Sequence, residues 1–238
     1  MLIEECPYIE PVDAYGAFAP YADSHFLDSA DRDRFSYIVV SPLHKLTAKN
    51  GRVTLDGFPF PGNPFDVLGD LLARYPQTRR DDLPPFQGGA VGYFGYELAH
   101  QTEILPKAAD DWLGMPDMAI GIYDLVIAFD QEDRKMWLIS TGMPERIGAA
   151  RAQRAEERMG LLRKYLRLAR PLHESPCVPH APAIRKWTSN FDRTGFETSV
   201  QKVIDYIFAG DIFQANLSQS IRAEYPRDAV PERFGLYR

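Results

Sequence analysis

Residues Asn190–Tyr225 read NFDRTGFETSVQKVIDYIFAGDIFQANLSQSIRAEY, and the first half of that stretch carries a helical pattern. Phe196, Val200, Val203, Ile204 and Ile207 recur at helix spacing and form one apolar stripe. Asp192 stands where an N-cap side chain accepts a hydrogen bond from the first turn. Gly210 follows the stripe, where a left-handed residue ends a helix without a Cβ clash. The chain then becomes extended. Side chains alternate along a strand, so Gln214, Asn216, Ser218 and Ser220 share one face while Phe213, Leu217, Gln219 and Ile221 share the other. Pattern alone favours a polar row that faces water. An uncharged row of this kind also suits the wall of a small-molecule cleft.

Upstream, the chain reads as sheet. Phe35, Tyr37 and Val39 alternate with Ser36, Ile38 and Val40, closed by Ser41-Pro42, which predicts a strand. Asn50-Gly51 lies between two strand-like runs and predicts a hairpin, because both turn positions need positive φ. Asn63 and Pro64 open a helix whose stripe is Phe65, Leu68, Leu71, Leu72 and Tyr75, and Pro76 stops it. In Phe86–Pro106, FQGGAVGYFGYELAHQTEILP, the glycines carry neither a phosphate-loop lysine nor dinucleotide-fingerprint spacing. They mark a close backbone approach within an aromatic strand. PDMAIGIYDLVIAFDQEDRKMWLIS predicts two strands, Met118–Phe129 and Lys135–Ser140, joined by a polar turn at Asp130–Arg134. From Arg146 to Arg170 a charged helix keeps a partial apolar face of Met159, Leu162, Tyr165 and Leu166.

With 27 Lys and Arg against 33 Asp and Glu in 238 residues, the net charge of −6 argues against a nucleic-acid surface. Cys6 and Cys177 are too few for a disulfide framework, and MLIEECPYIEP has neither the basic start nor the apolar run of a signal peptide. No apolar run reaches membrane length, so a cytoplasmic protein without membrane contact is expected. No self-contained catalytic constellation is present: there is no HExxH, no nucleophile elbow and no CxxC. Glu97 and Glu103 are the best placed carboxylates of the glycine-rich segment, and both read as structural or surface acids. His173, Cys177 and His180 lack a fourth ligand for a metal.

AGDIFQANLSQ, following a VQKVIDYI helix, resembles the segment that opens the chorismate-binding domain of the anthranilate synthase and aminodeoxychorismate synthase component I family. FQGGAVGYFGYELA with its trailing ILP, and PDMAIGIYDLVIAFDQEDRKMWLIS, are similar to the N-terminal domain of the same family. Asn216 resembles the aminodeoxychorismate synthase form of QANLSQ; anthranilate synthases more often carry an aliphatic residue there. The resemblance implies an α+β fold. An N-terminal domain over 1–170 is mostly antiparallel sheet with few helices. Residues 171–186, with Pro171, Pro176, Pro179 and Pro182, form a linker, and 187–238 supply the first helix and strand of a truncated chorismate-binding domain.

It further implies conversion of chorismate and ammonia to 4-amino-4-deoxychorismate, on the way to p-aminobenzoate and folate. The ammonia comes from a glutamine amidotransferase partner, and the alternative product is anthranilate. The family's Mg²⁺ glutamates and its nucleophilic lysine lie C-terminal to QANLSQ, so no catalytic or metal residue is expected in this chain, which is read as a fragment inactive by itself. VPERFGLYR, with Phe234 and Tyr237, is read as the start of a further helix. The family's tryptophan pocket maps onto Leu27, Asp28, Ser29, Arg34, Phe35 and Ser36. There a carboxylate and a hydroxyl suit an ammonium, and an arginine suits a carboxylate. The remaining possibility is a non-catalytic module that binds an aromatic amino acid or an amidotransferase.

Overall fold

The computed structural model describes residues 1–29, 33–106, 111, 113–167 and 186–223. In chain order the elements are β1 (Leu2–Cys6), α1 (Pro11–Gly16), β2 (His25–Leu27), β3 (Phe35–Val39), β4 (His44–Lys49), β5 (Arg52–Leu55), β6 (Phe58–Phe60), α2 (Pro64–Arg74), β7 (Gly89–Phe94), a 3₁₀ helix (Tyr96–Gln101), β8 (Met118–Tyr123), β9 (Leu125–Asp130), β10 (Lys135–Ser140), α3 (Gly148–Leu166), β11 (Trp187–Ser189), α4 (Arg193–Ala209) and β12 (Ile221–Ala223). Strands far outnumber helices and every described ladder is antiparallel, so the α+β expectation holds. The chain divides into two units, Met1–Glu174 and Ser175–Arg238. The proline-rich linker and the His173, Cys177 and His180 set fall outside the described residues, as does the helix expected around Phe234.

Unit one contains two five-stranded sheets, ordered β1-β10-β9-β3-β2 and β6-β5-β4-β8-β7. The run Met118–Phe129, expected as one strand, is cut at Asp124. Its first half pairs with β4 and β7, its second with β3 and β10. The reason is polar: Asp124 is fully buried, and its carboxylate is held by Arg158 of α3, at 2.6 Å from Nη2 and 3.2 Å from Nε. A buried carboxylate needs such a partner, and meeting it turns the chain from one sheet into the other.

Both faces of β9 are covered, which is why it reads as an unbroken apolar run. Leu125, Ile127 and Phe129 pack with Ile38, Ala14 and Phe18 and with Met159 and Leu162 of α3. Val126 and Ala128 face the other way and join Val39, Ile139 and Trp137 with Val91 and Tyr123 of the second sheet. The outer face of that second sheet, with Leu46, Met118 and Ile120, is closed by α2 through Val67, Leu68 and Leu71. The expected α2 stripe is corrected at three positions. Phe65 and Leu72 stay exposed while Val67 is buried, and Phe65 instead stacks on Phe94 with ring centroids 6.1 Å apart.

The Asn50-Gly51 hairpin forms with positive φ at both residues. Gly92 makes the close approach expected of its segment: a Cβ there would lie 1.9 Å from the Ala119 carbonyl oxygen on the neighbouring strand.

In unit two, Asp192 caps α4 by accepting from the Gly195 N–H at 2.7 Å, and Gly210 ends it with φ 80°. The strand expected across 213–221 does not form. Residues 214–220 lack strand structure, and only Ile221–Ala223 pairs, with Trp187–Ser189. Strand conformation is sustained by a neighbour that satisfies backbone donors and acceptors, and β11 offers such a neighbour to three residues alone.

Candidate functional site

The residues singled out between Leu27 and Ser36 do converge at one end of the first sheet, where β2 runs out and β3 begins. Register pairs Leu27 with Tyr37 and Phe35 with Asp130, which brings the Asp130–Arg134 turn beside both strands. Ser36 is fully buried and acts as a hub. Its Oγ accepts from the Ser29 backbone N–H at 3.1 Å and from Gln131 Nε2 at 2.9 Å, and it lies 3.1 Å from Ser29 Oγ. Gln131 Nε2 also donates to Ser29 Oγ, and the Gln131 N–H donates to the Arg34 carbonyl at 2.9 Å. Leu27 and Asp28 are exposed, and Phe35 is half-buried with the Arg34 guanidinium 5.2 Å over its ring.

Arg34 is engaged by carboxylates of the chain itself. Its Nε lies 3.0 and 2.9 Å from the two carboxylate oxygens of Asp130, and its Nη2 2.5 Å from Asp130 and 2.9 Å from Asp133. Glu132 stands 3.7 Å from Nη1. A guanidinium ringed by three carboxylates has little left for a ligand carboxylate. The corner as built attracts cationic rather than anionic groups. Burial raises the Asp130 carboxyl, but the hydrogen bonds from Arg34 and the turn amides outweigh it and hold the group below the ordinary carboxylate range. Arg34 is pushed up, chiefly by its bond to Asp130.

Beside this corner lies an open cleft of about 450 Å³ bordered by Tyr8, Glu10, Asp33, Arg34, Glu132 and Arg134. Arg134 sits 4.3 Å over the Tyr8 ring and pairs with Glu10 at 2.9 Å. Gln131, Asp130 and Asp133 complete this corner, and sequence reasoning passed over them as a turn. The signal that could have found them is the density of acids in DQEDR, set beside a strand that must pair with the Arg34 strand.

The second candidate set is not assembled. Gln214, Asn216 and Ser218 are exposed on a segment without strand structure. The segment is tied down instead from Gln219, whose Nε2 donates to Ser189 Oγ at 2.8 Å, and from the Ser220 N–H, which donates to Asn190 Oδ1 at 2.8 Å. Glu97 lies in the 3₁₀ helix, 3.2 Å from His100, and Glu103 is exposed, in keeping with a structural or surface role. Among the described residues no three His, Cys, Asp or Glu side chains come together in a set able to hold a metal ion, so no chemistry through magnesium is derived from them. No helix among them is long and apolar enough to cross a membrane.

Comparison with known proteins places this architecture. The family described as "chorismate binding enzyme" matches residues 23–238. Anthranilate synthase component 1 of Thermus thermophilus is 35% identical over 236 residues, covering 96% of this chain and 47% of the relative. Aminodeoxychorismate synthase component 1 of Salmonella typhimurium is 31% identical over 207 residues, covering 82% of this chain and 40% of the relative. The crystal structure of anthranilate synthase component I from Streptococcus pneumoniae aligns with a TM-score of 0.60 at 26% identity, over 82% of this chain and 42% of that one. The chain thus spans just under half of the length of each.

Proposed function

The chain belongs to the chorismate binding enzyme family, and from that premise we propose that it serves as the N-terminal part of an aminodeoxychorismate synthase component I. In this reading chorismate and ammonia become 4-amino-4-deoxychorismate, the precursor of p-aminobenzoate for folate. A glutamine amidotransferase supplies the ammonia, in line with the "component 1" in the relatives' names. The setting is cytoplasmic. The observation that carries the choice of product is Asn216 within QANLSQ, a polar residue at a position where the anthranilate-forming members tend to carry an aliphatic one.

The part played by this chain is a scaffold. In this reading magnesium and the reacting groups belong to other residues of the working enzyme. The test is product identification by chromatography after joining the chain to the remaining half of the Salmonella relative and supplying chorismate, ammonium and magnesium. The expected product is 4-amino-4-deoxychorismate, and the 238-residue chain alone leaves chorismate unconsumed. Anthranilate as the product overturns the choice. That second reading has its own support in the 35% identity to the Thermus enzyme over 236 residues.

The Leu27–Ser36 corner is proposed as a tryptophan site in which the ligand's ammonium, not its carboxylate, faces the acidic Asp130–Asp133 turn. Calorimetry with tryptophan tests it, and no heat at millimolar ligand overturns it.

A further inference from the structure

Between the C-terminal end of α2 and the loop that enters α3 lies a pocket of about 150 Å³, remote in sequence from the Leu27–Ser36 corner. Three arginines line it: Arg74, Arg146 and Arg151. None of the three has an ion-pair partner among the described residues, whereas Arg34, Arg80, Arg134, Arg158 and Arg163 of the same unit all do. Among the described residues the lining carries one carboxylate, Glu145, which is exposed and has no ion-pair partner there. Positive charge is therefore in excess at this spot of a chain that is acidic as a whole. The amino group of Met1 registers it: its pKa is held below the ordinary value by burial and by the nearby Arg151 charge.

The remaining walls are apolar: the Tyr75 ring, Pro76, Met143 and Pro144. They are also held in place. Tyr75 Oη is 2.7 Å from His44 Nε2, and His44 Nδ1 is 2.8 Å from Asp56. The loop is pinned by α3, since Arg151 donates from Nε to the Thr141 carbonyl at 2.8 Å and from Nη1 to the Arg146 carbonyl at 3.1 Å. Arg154 Nε donates to the Met143 carbonyl at 3.0 Å. With those two contacts made, Arg151 still has Nη2 to offer. A site whose walls are fixed before a ligand arrives loses less ordering entropy on binding.

We propose that this pocket binds a small aromatic carboxylate, with the guanidiniums on its carboxylate and the Tyr75, Pro76 and Met143 walls on its ring. The charge argument follows from the planar fork of arginine, which matches a carboxylate with two parallel hydrogen bonds. The size argument follows from the volume: pockets for drug-sized ligands run to roughly 300–1,000 Å³, so 150 Å³ limits the occupant to about one ring with its carboxylate. A bare oxyanion would satisfy the arginines and leave the apolar walls unused. This site is independent of the proposed reaction, and its test requires no turnover.

The purified chain is titrated calorimetrically with benzoate, with benzyl alcohol as the neutral counterpart, and with inorganic phosphate. The titration is repeated on a chain carrying both Arg74→Gln and Arg146→Gln; each arginine is exposed and makes no side-chain bond among the described residues, so the fold persists, as circular dichroism will verify. Benzoate is expected to bind saturably with a dissociation constant on the order of 1 mM, which corresponds to about −4 kcal/mol. It should bind at least about tenfold more weakly to the double variant, the effect expected when charge-assisted hydrogen bonds are lost. Benzyl alcohol should give no saturable heat. In protein labelled with ¹³C at the methionine methyls, the Met143 resonance should shift with benzoate along the same isotherm. Absence of saturable benzoate binding overturns the proposal, as does equal affinity in the double variant or an unmoved Met143 signal. Phosphate binding as tightly as benzoate would overturn the aromatic assignment.

Discussion

Asp124 is fully buried, and Arg158, its partner, has a side chain only 12% exposed. Arg158 also donates to Ser41, at 3.0 Å to Oγ and 2.6 Å to the carbonyl, so one guanidinium ties the crossing between the sheets to α3. Removing one member of a buried pair strands a charge, at a cost of about 3–5 kcal/mol, while replacing both with apolar residues is often neutral. Asp124→Ala is therefore expected to lose about that much in urea unfolding, and Asp124→Leu with Arg158→Met to recover most of it. Arg34 and Asp130 provide a pH-dependent counterpart. The folded carboxyl of Asp130 titrates below its unfolded value, so its stabilising contribution is complete above about pH 4 and is lost as pH falls through the folded pKa. Arg34→Gln removes it. The gap in unfolding free energy between wild type and Arg34→Gln should be widest at neutral pH and shrink below about pH 4; a gap that is constant with pH contradicts the assignment. The partners of Arg34 were not legible in the sequence because Asp130 and Asp133 lie 96 and 99 residues away. Spacing cannot show such pairs; only the β3–β9 register can.

At the scale of elements, whatever depended on local chemistry was legible. The Asn63 cap, which accepts from the Phe65 N–H at 2.9 Å, the Asp192 cap, the Gly210 stop and the Asn50-Gly51 turn all stand where their residue types require. Elements whose form depends on a distant neighbour were not legible. β8 and β9 run together in sequence as one apolar stretch, and the break between them falls at Asp124, which Arg158 holds. The row at Gln214, Asn216 and Ser218 has a strand's alternation without the pairing that sustains a strand. The rotation of the α2 stripe has the same origin, since helical periodicity admits either Val67 or Phe65 on the face and the sheet beneath decides. This gives a ranking. Asn63→Ala should cost about 1 kcal/mol through the lost cap, and Leu71→Ala, 1% exposed, about 2–5 kcal/mol through the cavity it leaves. Phe65→Ala should cost less than Leu71→Ala despite the larger side chain removed. Urea unfolding of the three variants checks the order, and a Phe65→Ala loss exceeding that of Leu71→Ala would restore the stripe expected from sequence.

Over the whole molecule, the family was legible because three separated segments carry its wording: the glycine-bearing β7 and the β8–β10 run, which packing and close approach constrain, and QANLSQ. What was not legible is how unevenly burial is distributed. The buried core of the described residues lies entirely in unit one, and no residue between 186 and 223 is buried. The apolar stripe of α4 is formed as expected, yet Val200, Ile204 and Ile207 are each about two-fifths exposed and Phe208 is 87% exposed. A helix holding its shape by a cap and backbone bonds, without a packed face, opens at little free-energy cost, because helical stability in proteins comes mainly from burying such a face. Trypsin at low ratio should therefore cut at Arg193 and Lys202 in α4 before it cuts at Lys45, Lys135 or Arg158, which lie in β4, β10 and α3. The order can be read by intact-mass spectrometry over a time course. When cleavage follows fast opening and closing, its rate tracks the population of the open form, so the order of cuts reports relative local stability. Survival of α4 after cleavage within the two sheets would show instead that its apolar stripe is covered in solution.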